Sequence, residues 1–274
     1  MSVPLLSGKV FLLVTGASQG IGKQITESFA TLLGNGSVVL LIARNKNALK
    51  ETAQKLPKSL SVHTASMDLS VATADELKGP VLLLADVVCK ALGSESATQF
   101  EKAVIVHNAG SLGDVSKPAN DMKDFEIWRN YYNLNVFSPA ILNGVFMELF
   151  NKETKVTRLV VNITSLCGIQ PCKSLAYYCT GKAAREMFFK VFAIENPQVN
   201  VLNYSPGPVE TDMQEVLRNN LGDADGKKTF NDIKASGSVL TTEQTINRLM
   251  EILKLQNYKS GDHVDYYDKQ DLKQ

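Results

Sequence analysis

A chain of 274 residues, 44% hydrophobic and 21% charged, is long enough to bury a large core as one big α/β domain or two small ones. Its 29 basic and 28 acidic side chains leave a formal charge of +1, which gives no electrostatic footing for nucleic acid or an anionic membrane. There is no run of eighteen apolar residues, and the opening M-S-V-P-L-L-S-G-K-V-F-L-L-V lacks a basic segment ahead of its apolar run. Neither a spanning helix nor a signal peptide is therefore expected.

The first element is the continuous apolar run Lys9–Val14, the pattern of a strand buried on both faces of a parallel sheet. It enters Thr15-Gly16-Ala17-Ser18-Gln19-Gly20-Ile21-Gly22, and a helical stripe of Ile25, Phe29 and Leu32 follows. Strand, glycine-rich turn and helix make a dinucleotide-binding start, in which the pyrophosphate rests on the helix N-terminus. Ser37–Ile42 is a second strand closed by Ala43-Arg44-Asn45. An NAD site places an acid here for the ribose 2′-hydroxyl, whereas the Arg44 guanidinium suits the 2′-phosphate of NADP. As a bare feature Arg44 is a solvated strand-end charge.

A charged helix spans Asn45–Leu56 and a third strand Ser61–Met67, ending in Asp68-Leu69. The Asp68 carboxylate can accept from an adenine amino group or cap the next segment. Asp75–Leu92 reads as a helix and Gly93–Gln99 as a loop. Ala103–Val106 is a fourth strand opening into His107-Asn108-Ala109-Gly110. Asp124–Phe150 is a long helical pattern that Pro139 must kink or break. Arg158–Ile163 is the fifth strand, Asn200–Tyr204 the sixth, and Thr242–Leu255 a last helix before a short strand in Gly261–Tyr267. Between them Glu215–Ser238 is polar and poorly periodic, which predicts a lid or substrate loop. Alternating βα units without repeats or an interior linker predict a single doubly wound Rossmann-type α/β domain over residues 1–274, with a parallel sheet of about seven strands and helices on both faces. Its cofactor half is expected over about 7–160 and its active-site and substrate half over about 161–267.

The chemistry concentrates between Ser165 and Lys182. Tyr178 and Lys182 stand four residues apart, hence on one helix face, and Ser165 lies thirteen residues before the tyrosine at the end of an apolar strand. A neighbouring ammonium favours the phenolate and fits the tyrosine for proton transfer, while the serine hydroxyl can hold a carbonyl oxygen. The cysteines Cys89, Cys167, Cys172 and Cys179 show no C-x-x-C, so free thiols in a reducing compartment, by default the cytoplasm, are expected. His63, His107 and His263 lie apart, with no H-x-x-x-H, so no metal is expected.

Taken together, Thr15-Gly16…Gly20-x-Gly22, Asn108-Ala109-Gly110, Asn135, Ser165, Tyr178-x-x-x-Lys182 and Pro206-Gly207 make the chain resemble the short-chain dehydrogenase/reductase family over residues 7–267. His107 departs from it, since the family usually has asparagine there. The resemblance implies an NADP-dependent oxidoreductase with Tyr178 as acid/base, Lys182 on the nicotinamide ribose, Ser165 on the carbonyl and Asn135 holding a water near the lysine. It further implies cofactor contacts from Gly16, Ala17, Ser18, Gln19, Gly20, Ile21 and Gly22; from Arg44, Asn45, Asp68 and Leu69; and from Asn108, Ala109, Gly110, Tyr178 and Lys182. Pro206, Val209, Glu210, Thr211, Asp212, Met213 and Gln214 complete that set. S-L-x-x-x-Q-P-x-K from Ser165, Y-S-P-G-P-V-E-T-D-M and the terminal S-G-D-H-V-D-Y-Y-D resemble a branch of the family that reduces pterin side chains. That likeness implies a substrate site of Ser165, Leu166, Tyr178 and Gly207, with Asp265 gripping the pterin's 2-amino pyrimidine edge. Taken alone, Asp265 is a solvated aspartate beside Asp262 and Asp268. In the family the helices matching residues 127–150 and 180–193 commonly form a two-fold interface, so the resemblance implies a homodimer; taken alone, their apolar excess is core packing.

Overall fold

The apolar runs become a sheet in which every neighbouring pair of strands is parallel. The computed structural model describes residues 3–71, 88–92 and 97–269. Its strands are β1 (Val10–Thr15), β2 (Val38–Ala43), β3 (Ser61–Ser66), β4 (Lys102–His107), β5 (Thr157–Ile163), β6 (Val199–Ser205) and β7 (His263–Asp265), in the order β3-β2-β1-β4-β5-β6-β7. The named helices are α1 (Gly20–Ala30), α2 (Lys46–Gln54), α3 (Phe125–Tyr132), α4 (Ser138–Leu149), α5 (Ala176–Glu195), α6 (Asp212–Asn220), α7 (Ala224–Ala235) and α8 (Thr242–Leu255). Among the described residues no helix is long and apolar enough to cross a membrane.

Every side chain of β1 is buried, and successive ones leave by opposite faces. Val10, Leu12 and Val14 pack with Ile25 and Phe29 of α1 and with Ile246, Leu249, Ile252 and Leu253 of α8. Phe11 and Leu13 pack on the other face with Leu142 and Phe146 of α4 and Phe189 of α5. Each such large side chain contributes roughly 1.5–3 kcal/mol by leaving water. Helices on both faces explain why the strands read as unbroken apolar runs.

Two local expectations change. Most of Glu215–Ser238, expected as a polar loop, is helical and belongs to α6 and α7. These helices bury only a narrow stripe: Leu217 of α6 and Leu221 just after it join Leu112, Val115 and Leu175, with Met213 and Phe230 partly covered. So little of their surface is buried that no strong period is imposed. Near Pro139, the chain neither bends freely nor stops. A π-helical turn over Asn133–Phe137 joins α3 to α4, and the Ser138 N–H reaches back five residues to the Asn133 carbonyl. Proline then falls in the first turn of α4, where its missing N–H costs little. Of the helix expected over Asp75–Leu92, residues 88–92 are helical and 72–87 lie outside the described residues, as do residues 93–96 of the polar stretch after it.

Candidate active site

The strand order reverses between β1 and β4, and a crevice opens there beyond the carboxyl ends of the strands. Two loops line it and are latched together. The Thr15 hydroxyl accepts the N–H groups of Asn108 and Ala109 at 3.0 Å each, while Asn108 Nδ2 donates to the carbonyls of Thr15 and Gly16. Gly16 has φ +69°, and a Cβ on it would meet Asn108 Nδ2 at 2.7 Å. A Cβ on Gly22 would lie 2.3 Å from the Gly16 carbonyl oxygen. The glycines therefore let α1 start directly against the turn. At that start, Gln19 in the N-cap position makes no side-chain cap. The first N–H groups of α1 are left facing the crevice, a ready seat for a pyrophosphate.

The crevice holds a cavity of about 270 Å³. It runs past Gly16, Ser18, Gln19, Gly20 and Ile21, Arg44 and Asn45, Leu69, Asn108, Ala109 and Gly110 to Tyr178 and Lys182, with Pro206, Thr211, Asp212 and Met213 along one side. Gln19 Nε2 donates to Asp212 Oδ2 at 2.8 Å across its mouth. Burial pushes the Asp68 carboxyl up, but bonds from Ser70 and the charge of Arg44 outweigh it and leave the acid below its usual range. Asp68 itself does not line the cavity; its Oδ1 caps Ser70. Asn45, besides lining the wall, caps α2 by accepting the N–H groups of Asn47 and Ala48.

Ala17, Gly22, Val209, Glu210 and Gln214 are likewise off the wall. Ala17 and Val209 are buried core residues, and Glu210 pairs at the surface with Arg218 and Lys234. Ile42, Ala43, Met67, Leu134, Ile163 and Thr164 line it without having been singled out. Most of these stand at or just past strand ends, where the crevice rule could have placed them.

At the inner end, α5 carries Tyr178 and Lys182 on successive turns. Burial, reinforced by Cys167, raises the Tyr178 phenol, while a hydrogen bond with Ser165 opposes the rise. This departs from the expectation that Lys182 would lower it. Lys182 is itself buried; burial first, and the Arg185 charge second, push its ammonium well below the ordinary lysine range. Lys182 Nζ donates to the Ile163 carbonyl at 2.7 Å and sits 5.6 Å from the centre of the Tyr178 ring. The cation nearest the tyrosine in effect is Arg185, fully buried and donating to Asn162 Oδ1 and to the carbonyls of Ala109 and His107. Asn135, in the π-helical turn, is buried; its amide holds the Ser111 N–H and the Tyr131 carbonyl. His107 is buried against Phe189 with Nε2 3.4 Å from Asn143 Oδ1.

Of the substrate residues, Tyr178 lines this cavity, and Ser165, Leu166, Gly207 and Asp265 do not. Ser165 caps the turn holding Leu166, which is exposed. Gly207 has φ +72°, with Leu240 3.0 Å from where a Cβ would stand, so only glycine makes this turn comfortably. Asp265 accepts from the Ser205 hydroxyl at 2.6 Å and the Tyr267 N–H at 3.0 Å. Among the described residues no group of three or more histidines, cysteines or acids is placed to hold a metal ion.

A parallel sheet with this switch-point crevice and a Ser-Tyr-Lys group at one end defines a dinucleotide-dependent oxidoreductase of the Rossmann class. Residues 10–222 match the short chain dehydrogenase family model, and the chain belongs to that family. It is 37% identical over 265 residues to the sepiapterin reductase of Xenopus tropicalis, covering 95% of this chain and 97% of that one. It is 34% identical to the sepiapterin reductase of Bos taurus, covering 96% of each. The crystal structure of a short chain dehydrogenase/reductase from Saccharomyces cerevisiae superposes with a TM-score of 0.76 at 28% identity, covering 95% of this chain and 97% of that one.

Proposed function

We propose that this protein is an NADPH-dependent carbonyl reductase acting on pterin side chains, with sepiapterin and 6-pyruvoyl-tetrahydropterin as substrates on the way to tetrahydrobiopterin. The observation that carries the reading is Tyr178, a phenol pushed up by burial, at the inner end of a cavity whose outer wall holds Arg44. NADPH, when bound, supplies the hydride. Arg44 and Asn45 would hold the 2′-phosphate and the α1 N-terminus the pyrophosphate, with Thr211 beside the nicotinamide carboxamide. Ser165 steadies the carbonyl oxygen, and Tyr178 gives it a proton as negative charge develops there. Because burial keeps the phenol protonated, Tyr178 is poised as the acid of a reduction. Lys182 would hold the nicotinamide ribose with the N–H bonds that Ile163 does not use. The likeness to sepiapterin reductases over nearly the whole chain supports the pterin.

Asp265 would grip the 2-amino pyrimidine edge. A carboxylate offers about four lone-pair sites, and Ser205 and Tyr267 take two of them, so a bidentate contact still fits. Its place off the cavity wall favours a second reading, a general carbonyl, alcohol or steroid reductase, which an Asp265→Ala variant with undiminished pterin turnover would support. The exposed Phe125, Ile127, Phe137, Met187, Val191 and Ile194 on and beside α3, α4 and α5 support a homodimer. Four free cysteines support a cytoplasmic location. Tyr178→Phe tests the mechanism: turnover should fall by about 10²–10⁴-fold while NADPH fluorescence still reports binding. Full turnover in that variant would refute the proton-donor role.

A further inference from the structure

Three sulfurs converge on the segment that carries Ser165 and Tyr178. Cys167 lies in the 3-10 turn Leu166–Gly168, and its N–H donates to the Ser165 hydroxyl at 3.2 Å. Cys172 is exposed on the loop before α5, with its Sγ 3.5 Å from Cys167 Sγ. It also lines a surface cavity with Lys173, Ser174 and Asp223, which gives a small oxidant access. Cys179 directly follows Tyr178. The Cys167 thiol hydrogen, helped by the N–H and thiol of Cys172, brings Cys179 down to about 6, while the same contact and burial push Cys167 up.

We infer that these cysteines form a reversible oxidation site, in which a peroxide closes a Cys167–Cys172 disulfide and so displaces Ser165. The exposed Cys172 thiol attacks the peroxide; an S–O bond forms, the O–O bond breaks, and water leaves when the peroxide is hydrogen peroxide. Cys167 then attacks the Cys172 sulfenic acid. Its proton goes to the departing hydroxide, the S–O bond breaks, and a second water leaves. In sum two thiols lose two electrons and one hydrogen peroxide is reduced to two waters. A dithiol reverses the process by exchange.

The geometry makes this bond close to Ser165 consequential. A disulfide is about 2.05 Å long, so the two sulfurs must approach by about 1.5 Å. The Cys167 backbone N–H is bonded to the Ser165 hydroxyl, so a backbone shift that the disulfide imposes at Cys167 carries Ser165 with it, and a displacement of about 1 Å at a reacting group can cost about a hundredfold in rate. Cys172 does not line the cavity that holds Tyr178 and Lys182, and it serves as the switchable partner.

The test uses the full-length protein with hydrogen peroxide as the oxidant. Non-reducing peptide mapping should find a Cys167–Cys172 cross-link, Cys89 and Cys179 should remain free, and NADPH-dependent carbonyl reduction should fall about tenfold or more and return with dithiothreitol. Cys172→Ser should keep its untreated activity and resist the same treatment. A full complement of four free thiols after treatment would overturn the inference, as would a cross-link between other cysteines, a Cys167–Cys172 cross-link with unchanged activity, or Cys172→Ser inactivated to the same extent. The thiol count and mapping decide the pairing whatever carbonyl substrate is used.

Discussion

Tyr178 and Lys182 were legible in the sequence because a four-residue spacing puts two side chains on one helix face whatever the packing. Their electrostatics were not legible, because burial and Arg185 act from other turns and strands. The guanidinium of Arg185 joins α5 to the carbonyls flanking Asn108, a contact across 78 residues of chain that no local pattern announces. His107 is a second case, expected to have little effect. Burial first and the Arg185 charge second push its imidazole down to about 3, with Asn143 opposing. Unfolded, it titrates near 6.5, so below that pH the unfolded chain takes up a proton that the folded one refuses. Stability therefore falls as pH drops from 6.5 towards 3. His107→Asn should abolish this component. Denaturant titrations should show the wild type losing about 3 kcal/mol more than the variant between pH 7 and 4.5, at about 1.4 kcal/mol per pH unit. An identical loss in both would contradict it. Arg44→Glu should shift preference from NADPH toward NADH by about tenfold or more, read as the ratio of kcat/KM values. An unchanged ratio would remove Arg44 from the 2′-phosphate site.

Among the elements, strands buried on both faces were the most readable, and their observed ends differ from the expected ones by a residue or so. The helices α6 and α7 were not read, because they are mostly exposed and their stripe is filled by neighbours distant in sequence. The π-helical turn was half read: Pro139 announced an irregularity but not its form, which depends on Ser138 bonding to Asn133 and on the burial of Asn135. Helix α8 carries a full capping box, with Thr241 accepting the Gln244 N–H at 3.1 Å and Gln244 Oε1 accepting the Thr241 N–H at 2.8 Å. Thr241→Ala should cost about 1 kcal/mol in urea unfolding without altering kcat, since α8 packs on the sheet face through Ile246, Leu249, Ile252 and Leu253. A loss of kcat at unchanged stability would mean that the cap acts on the site instead.

Across the molecule, the sheet order puts residues far apart in the chain around one crevice, and only the resemblance connected them in advance. The same order leaves Met187, Val191 and Ile194 of α5 exposed beside Phe137. If that surface is a two-fold interface, Met187→Asp with Ile194→Asp should convert a dimer to a monomer in light scattering; a wild type that already scatters as a monomer would end the dimer proposal. Carbonyl reduction on a pterin is tested by NADPH oxidation by the purified protein with sepiapterin against a panel of simple ketones. Strong turnover of sepiapterin and little of the ketones is expected. Turnover of the ketones with none of sepiapterin would contradict the pterin reading while leaving Tyr178, Lys182 and Ser165 in their roles.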